Sequence, residues 1–298
     1  MANETFIGWM TAIQQYMESA LEKLLPSADC APQKLHEAMR YATLEGGKRV
    51  RPLLVFAAGE LVDAEQDNLA RVGAALEMIH AYSLVHDDMP CMDDDVLRRG
   101  KPTCHVAYDE ATALLVGDAL QTRAFELIAQ PLPGIAPASQ LEMVRTLAHA
   151  SGHAGMAGGQ AIDLASVGQP LTLPELEFMH MLKTGALIRA AVMMGAMAGR
   201  ELSAEEKDSL DVFAKRVGLA FQVVDDILDC EADTATLGKT AGKDAAHDKP
   251  TYVSLLGLSE AKRMAKDLHD QAFAALDGFG PRAQRLKQLA DYIVARSF

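Results

Sequence analysis

Apolar side chains recur at spacings of three and four along almost the whole chain. In Leu210, Phe213, Val217, Phe221, Val224 and Leu228 the spacing is that of one helix face. Strand signals are scarce: there is no Asn-Gly hairpin turn and no sustained run of β-branched and aromatic residues, and aromatics make up only 5% of the sequence. The expected fold class is therefore all-α. Glycine and proline breaks at Leu25-Pro26-Ser27, Glu45-Gly46-Gly47, Arg99-Gly100-Lys101-Pro102, Pro131 to Pro137, Gly168 to Pro174, Ala232 to Pro250 and Asp277 to Pro281 punctuate the pattern. They leave about ten helical segments, roughly 3–23, 31–43, 52–65, 67–89, 107–129, 139–153, 175–198, 203–230, 259–276 and 282–295. No break reads as a linker, so residues 1–298 are expected to form one domain, a single bundle. The segments 67–89 and 203–230 are apolar on most sides, which suits central helices covered by neighbours.

Charge narrows the function classes. With 28 Lys+Arg against 41 Asp+Glu the net charge is -13, which disfavours nonspecific attraction to nucleic acid or to anionic lipid. Any anionic ligand must be held locally. Cys30, Cys91, Cys104 and Cys230 show neither the density of a disulfide framework nor the spacing of a zinc site, and a reducing cytoplasm is the expected compartment. The start Met1-Ala2-Asn3-Glu4-Thr5 lacks the features of a signal peptide, and the most apolar stretch, Gly185 to Gly199, is interrupted by Arg189, so no stable membrane association is expected.

Both central segments end in acid. The first cluster is His86-Asp87-Asp88-Met89-Pro90-Cys91-Met92-Asp93-Asp94-Asp95, the second Phe221-Gln222-Val223-Val224-Asp225-Asp226-Ile227-Leu228-Asp229. On a continuous helix Gln222, Asp225 and Asp229 share a face. Asp87 and Asp93 would not, so the helix is expected to end near Pro90 and let Asp93 turn back. Oxygen-only ligands select hard cations, and Mg²⁺ is usually held by one or two carboxylates plus substrate phosphates. A phosphate ligand needs cations, and three loops carry them: Gly46-Gly47-Lys48-Arg49-Val50-Arg51-Pro52 ahead of a helix start, Arg98-Arg99-Gly100-Lys101, and Gly238 to Lys243 with Lys249 beyond. Lys183 lies in an apolar helical region where an unpaired ammonium is costly, which makes a phosphate partner reasonable.

From Tyr41 to Tyr252 the order and spacing of these motifs resemble the trans-isoprenyl diphosphate synthase family, most closely its bacterial-type farnesyl diphosphate synthases (geranyltranstransferases). Gly46 to Pro52 resembles that family's GGKxxRP, and Asp87 to Asp93 with Arg98-Arg99-Gly100 its first aspartate-rich motif in the longer form. Gly158-Gly159-Gln160-Ala161-Ile162-Asp163-Leu164 resembles GGQxxDL, Lys183-Thr184 the KT motif, Asp225 to Asp229 the second aspartate motif, and Gly238 to Tyr252 a lid. The resemblance implies an all-α isoprenoid synthase fold with a deep central cavity, usually a homodimer. It also implies Mg²⁺-dependent head-to-tail condensation of isopentenyl diphosphate with dimethylallyl and then geranyl diphosphate to give (E,E)-farnesyl diphosphate, with three Mg²⁺ per site. Asp87 and Asp93 would hold two Mg²⁺ and Asp225 the third, in motifs that include Asp88 and Asp229. Arg98, Lys183 and Lys239 would hold the allylic diphosphate, and Lys48, Arg51, His80 and Arg99 the isopentenyl diphosphate. Thr184 and Gln222 would face the allylic cation, and Lys249 would assist lid closure. Tyr82, five residues before Asp87, would close the floor of the prenyl pocket. Relatives often end in a basic tail where this chain has Ala295-Arg296-Ser297-Phe298.

Competing activities fit less well. A terpene cyclase would lack the isopentenyl cradle of Lys48, Arg51 and His80, and a noncatalytic partner subunit tends to lose one aspartate motif. A nucleotide pyrophosphatase gives no reason for Lys183. A geranylgeranyl diphosphate synthase shares every motif and differs in product length.

Overall fold

A computed structural model describes residues 5–231 and 250–295. In chain order its helices are α1 (Phe6–Leu24), α2 (Gln33–Thr43), α3 (Val50–Glu60), α4 (Gln66–Asp87), α5 (Cys104–Ala107), α6 (Glu110–Ala129) and α7 (Pro137–Ser151). They continue with α8 (Met156–Ala165), α9 (Leu173–His180), α10 (Ala186–Met197), α11 (Ala204–Glu231), α12 (Tyr252–Leu256), α13 (Leu258–Ala275) and α14 (Gln284–Ala295). A wide π-helical turn, Met181–Gly185, joins α9 to α10 without a break, and a 3-10 stretch, Asp277–Ala283, leads into α14.

The ten expected segments are helical, with ends moved by a few residues, and α5, α8 and α12 are additional. Glycines at 152, 155, 158 and 159 conceal the period of α8, and α5 and α12 are too short to show one. A two-residue antiparallel ladder also forms, β1 (Leu97–Arg98) with β2 (Lys101–Pro102). Its turn residues Arg99 and Gly100 have φ of 53° and 75°, the twist of a two-residue hairpin reached without Asn-Gly.

Capping fixes several starts. Thr5 accepts from the Gly8 amide at 3.1 Å, Asp109 from Thr112 at 2.7 Å, and Thr172 with Glu175 forms a capping box on α9. α4 is buried nearly all round and is packed by α1, α2, α3, α6 and α10. Each leucine or isoleucine sealed there, such as Leu76 and Ile79, contributes about 1.5–3 kcal/mol. α11 is packed by α10, the π turn, α12, α13 and α14. The two acid-bearing helices thus lean on the common support α10, which crosses α3 so tightly that a Cβ on Gly195 would stand 2.4 Å from the Val55 carbonyl oxygen.

At the α9 end, His180 packs its ring 5.4 Å from that of Tyr252, and both are buried. Neither His180 Nδ1 nor the Tyr252 hydroxyl has a hydrogen-bond partner. Burial holds the His180 imidazole down at about 4, with Lys183 adding to the effect.

Both the tight crossing and the buried ring can be read out in unfolding experiments. Gly195→Ala costs about 1–3 kcal/mol by overpacking α3 against α10, while Gly278→Ala, where an added Cβ meets nothing within 4 Å, stays within about 0.5 kcal/mol; urea unfolding of both variants reads the difference. The unfolded chain protonates His180 near 6.5 and the folded chain only near 4, so the unfolded state binds the extra proton between those values. Stability contributed by the neutral ring is whole above pH 6.5 and falls as pH drops toward 4, by about 3 kcal/mol in full. His180→Phe should flatten the decline across that window relative to wild type, and parallel pH profiles would refute the assignment.

Candidate active site

α4 stops at Asp87, and Pro90 keeps it from resuming. The chain then folds back as expected: the Asp93 amide donates to the Asp87 carbonyl at 2.8 Å and the Asp95 amide to the Asp88 carbonyl at 3.1 Å. Asp88 is buried and takes the Arg98 guanidinium in a two-pronged pair, Nε to Oδ2 at 2.8 Å and Nη2 to Oδ1 at 2.5 Å, with Arg98 delivered by the β1–β2 hairpin. Asp88 and Arg98, expected to serve metal and diphosphate separately, are here joined to each other. Burial pushes the Asp87 carboxyl up to about 6 against the pull of Lys183, and the Asp93 and Asp88 charges add to the rise.

A cavity of about 490 Å³ lies beside the start of α3, with Lys48, Arg49, Arg51, Glu77, His80, Arg99 and Phe221 in its wall. Gly46 and Gly47 leave room for the Arg99 side chain, since a Cβ on either would come within 2.4 Å and 2.6 Å of its guanidinium nitrogens. Arg49, one of the three loop cations, turns inward instead of toward a ligand. Its guanidinium donates to Glu77 at 2.7 Å, Glu18 at 2.8 Å and the Thr43 carbonyl at 2.7 Å, and both Arg49 and Glu77 are buried. Arg51 is half-buried with its Nε sealed and unpartnered, and desolvation together with the Arg99 charge lowers its pKa against the opposing pull of Glu77 and Asp225. His80 is driven well below the usual imidazole range by burial and by Arg51, Arg99, Arg98 and Arg49, so it is a neutral ring among cations.

Arg51 and His80 also border a second cavity of about 350 Å³, with Tyr82, Asp87, Gln160, Lys183 and Thr184. Lys183, whose apolar surroundings called for a partner, has one within the chain: Asp163 on α8 accepts from it at 2.6 Å. The π turn presents Lys183 and Thr184 together to this cavity, in keeping with the frequent use of such turns at functional sites. Thr184 donates to Gln222 Oε1 at 3.4 Å. On α11 Gln222, Asp225 and Asp229 are half-buried while Asp226 is buried. Tyr82 is 8% exposed, hydrogen-bonds Gln121, and stands edge-on to His86 at 5.7 Å.

The donors suit a hard cation, being carboxylate oxygens in a partly buried wall with Asp87 held short of compensating charge. Among the described residues these acids do not close into a ready-made cage, so a cation would complete its shell with water or phosphate oxygens, as Mg²⁺ ordinarily does. Lys239 and Lys249 lie outside the described residues.

Sequence reasoning left Glu77, Asp163, Gln160 and Asp226 without roles. Glu77 had a signal, a single acid in the apolar run Ala74 to Ile79. Gln160 is half-buried, with both amide atoms sealed and unpartnered in the wall of the smaller cavity, a waiting donor and acceptor that no spacing rule identifies.

Comparisons with known proteins point to one family. Residues 32–279 match the polyprenyl synthetase family. A probable farnesyl diphosphate synthase of Bradyrhizobium diazoefficiens is 52% identical over 285 residues, covering 94% of this chain and 85% of the relative. A crystal structure of an apo FPP/GFPP synthase from Zymomonas mobilis superposes with TM-score 0.88 at 44% identity, over 97% of this chain and 98% of the other. A geranyltransferase from Helicobacter pylori, complexed with magnesium and isoprenyl diphosphate, superposes with TM-score 0.84 at 34% identity, over 99% and 98% of the two chains. With its fold and its sequence both matching, the chain belongs to the polyprenyl synthetase family.

Proposed function

We propose that this prenyltransferase joins isopentenyl diphosphate head-to-tail to dimethylallyl diphosphate and then to geranyl diphosphate, releasing diphosphate and (E,E)-farnesyl diphosphate. The wall shared by the two cavities carries the reading. Arg51 and His80 border both the cation-rich cavity and the one that holds Asp87 and Lys183, so two anionic substrates would meet there with their reacting ends adjacent. The magnesium and isoprenyl diphosphate in the Helicobacter pylori relative support the ligand classes.

Lys48, Arg51, Arg99 and the neutral His80 would cradle isopentenyl diphosphate, while Arg98, aimed by Asp88, and Lys183 would hold the allylic diphosphate with Lys239. Lys183 would exchange Asp163 for phosphate oxygen on binding. Three Mg²⁺ per site are proposed, with Asp87 and Asp93 for two and Asp225 for the third, and with Asp88 and Asp229 in supporting positions. Bound there, Mg²⁺ supplies neutralisation of the charge that develops on the departing diphosphate. Thr184 and Gln222 place oxygens toward the allylic cation, and the departing diphosphate can take the final proton, so no side-chain base is required. Exclusion of water, to which Lys249 would contribute at the lid, protects the cation.

A homodimer is supported by Leu114 and Leu115 on α6 and Leu141 on α7, which stand 48%, 54% and 69% exposed. Four cysteines without disulfides support a cytoplasmic location, and no described helix is long and apolar enough to cross a membrane. We read residues 1–298 as one polyprenyl synthase domain.

Asp87→Ala and Asp225→Ala should each lower turnover by on the order of a hundredfold or more at saturating Mg²⁺. Turnover within roughly tenfold of wild type would remove them from the metal site. Product length is set, in this reading, by Tyr82, which lies about 7.5 Å along α4 from Asp87 and borders the same cavity. Tyr82→Ala should yield geranylgeranyl diphosphate or longer products from labelled isopentenyl diphosphate and a geranyl primer. An active variant that still stops at farnesyl diphosphate would place the pocket floor elsewhere.

A further inference from the structure

The hydrogen bonds around Gln222 run in one direction. Asp226, 5% exposed on α11, accepts from Gln222 Nε2 through Oδ1 at 3.0 Å and from the Tyr252 backbone amide through Oδ2 at 2.8 Å. A carboxylate has no hydrogen to give, so the neighbouring amide must turn its NH2 toward Asp226 and its carbonyl away. That carbonyl accepts from the Thr184 hydroxyl at 3.4 Å. With its hydrogen committed to Gln222, Thr184 offers lone pairs to the cavity that it lines with Asp87 and Lys183.

We propose that Asp226 is a positioning residue that fixes the direction of the chain Asp226, Gln222, Thr184, so that an oxygen and not a hydrogen faces the developing allylic cation. The proposal rests on the prenyl-transfer reading and adds a role for the second acid of the pair, which is turned away from Asp225. Asp225 is half-buried and close enough to Arg51 to bias its charge, whereas Asp226 is buried against Gln222 and the first residue of α12. A single carboxylate therefore sets the polarity of the relay and ties the returning chain at Tyr252 to the same point. Because each bond polarises the next, reversing the first reverses the last. A reversed chain would aim a hydroxyl hydrogen at positive charge, where a fixed dipole of the wrong sign raises the barrier.

Polarity exchange tests this directly. In Asp226→Asn the single side-chain oxygen keeps the Tyr252 amide, and the new NH2 faces Gln222, whose amide must flip. Its turnover with geranyl and isopentenyl diphosphates at saturating Mg²⁺ should fall about tenfold or more. The Mg²⁺ concentration for half-activation should not move. Adding Gln222→Glu gives both the introduced NH2 and the Thr184 hydroxyl an acceptor, so the double variant should recover most of the lost turnover, although Gln222→Glu alone sets two carboxylates side by side and should be impaired. Wild-type product formation in the same assay reports on the prenyl-transfer reading independently of these ratios. The proposal is overturned by wild-type turnover in a folded Asp226→Asn enzyme or by a shift of about tenfold in Mg²⁺ dependence, as expected when a ligand or its direct support is lost. Failure of Gln222→Glu to restore activity also overturns it. Should Asp226→Asn alone not unfold cooperatively, a folded and active double variant supports the proposal, and an unfolded or inactive one sinks it.

Discussion

Charged side chains are fixed in place inside one apolar bundle by resident partners, and the rest of the structure serves that placement. Arg49, Arg51, Arg98 and Arg99 surround a neutral His80, while acids gather at the ends of α4 and α11. An ion removed from water costs several kcal/mol unless it is paired and hydrogen-bonded, so each charge needs a resident partner before any substrate arrives. Glu77 serves Arg49, Asp88 serves Arg98 and Asp163 serves Lys183. Asp87 is less well served: its carboxyl is raised to about 6, and a cation at that point would relieve it.

That arrangement depends on rigid support. α10 backs both acid-bearing helices, and its close crossing with α3 at Gly195 ties the cation-bearing loop ahead of α3 to the same scaffold. Turnover by electrostatic stabilisation requires groups that are already placed, because reorganisation during reaction would consume the gain. The resident pairs perform that placement, and those at Lys183 and Arg98 also offer their cations an alternative to phosphate.

Much of this was legible in the sequence because helices broadcast their period. The all-α class, the two central helices and the return of Asp93 toward Asp87 follow from apolar spacing and from Pro90. Partnership between distant side chains was not legible. That Arg49 turns inward, that Lys183 meets Asp163 and that Asp226 binds the Tyr252 amide depend on which surfaces α4, α8 and α11 bring together, and no local pattern encodes that. Arg99 in the left-handed region was hidden for another reason, since glycine or asparagine is the usual sign of such a turn.

The π turn at Met181–Gly185 has a consequence for how this chain can change over generations. A π turn holds one residue more than an α-helical turn, so it takes up that residue without breaking the helix. Deleting one residue there would restore an ordinary ladder and leave the two flanks nearly in phase, so the change would fall on the turn itself. Lys183 and Thr184 would lose the wide turn that presents them together to the cavity, while the buried face of Leu187, Ala190 and Ala191 would keep its place in the core. A one-residue shortening here would thus spare the core and strike the site, whereas the same change in a surface loop touches neither.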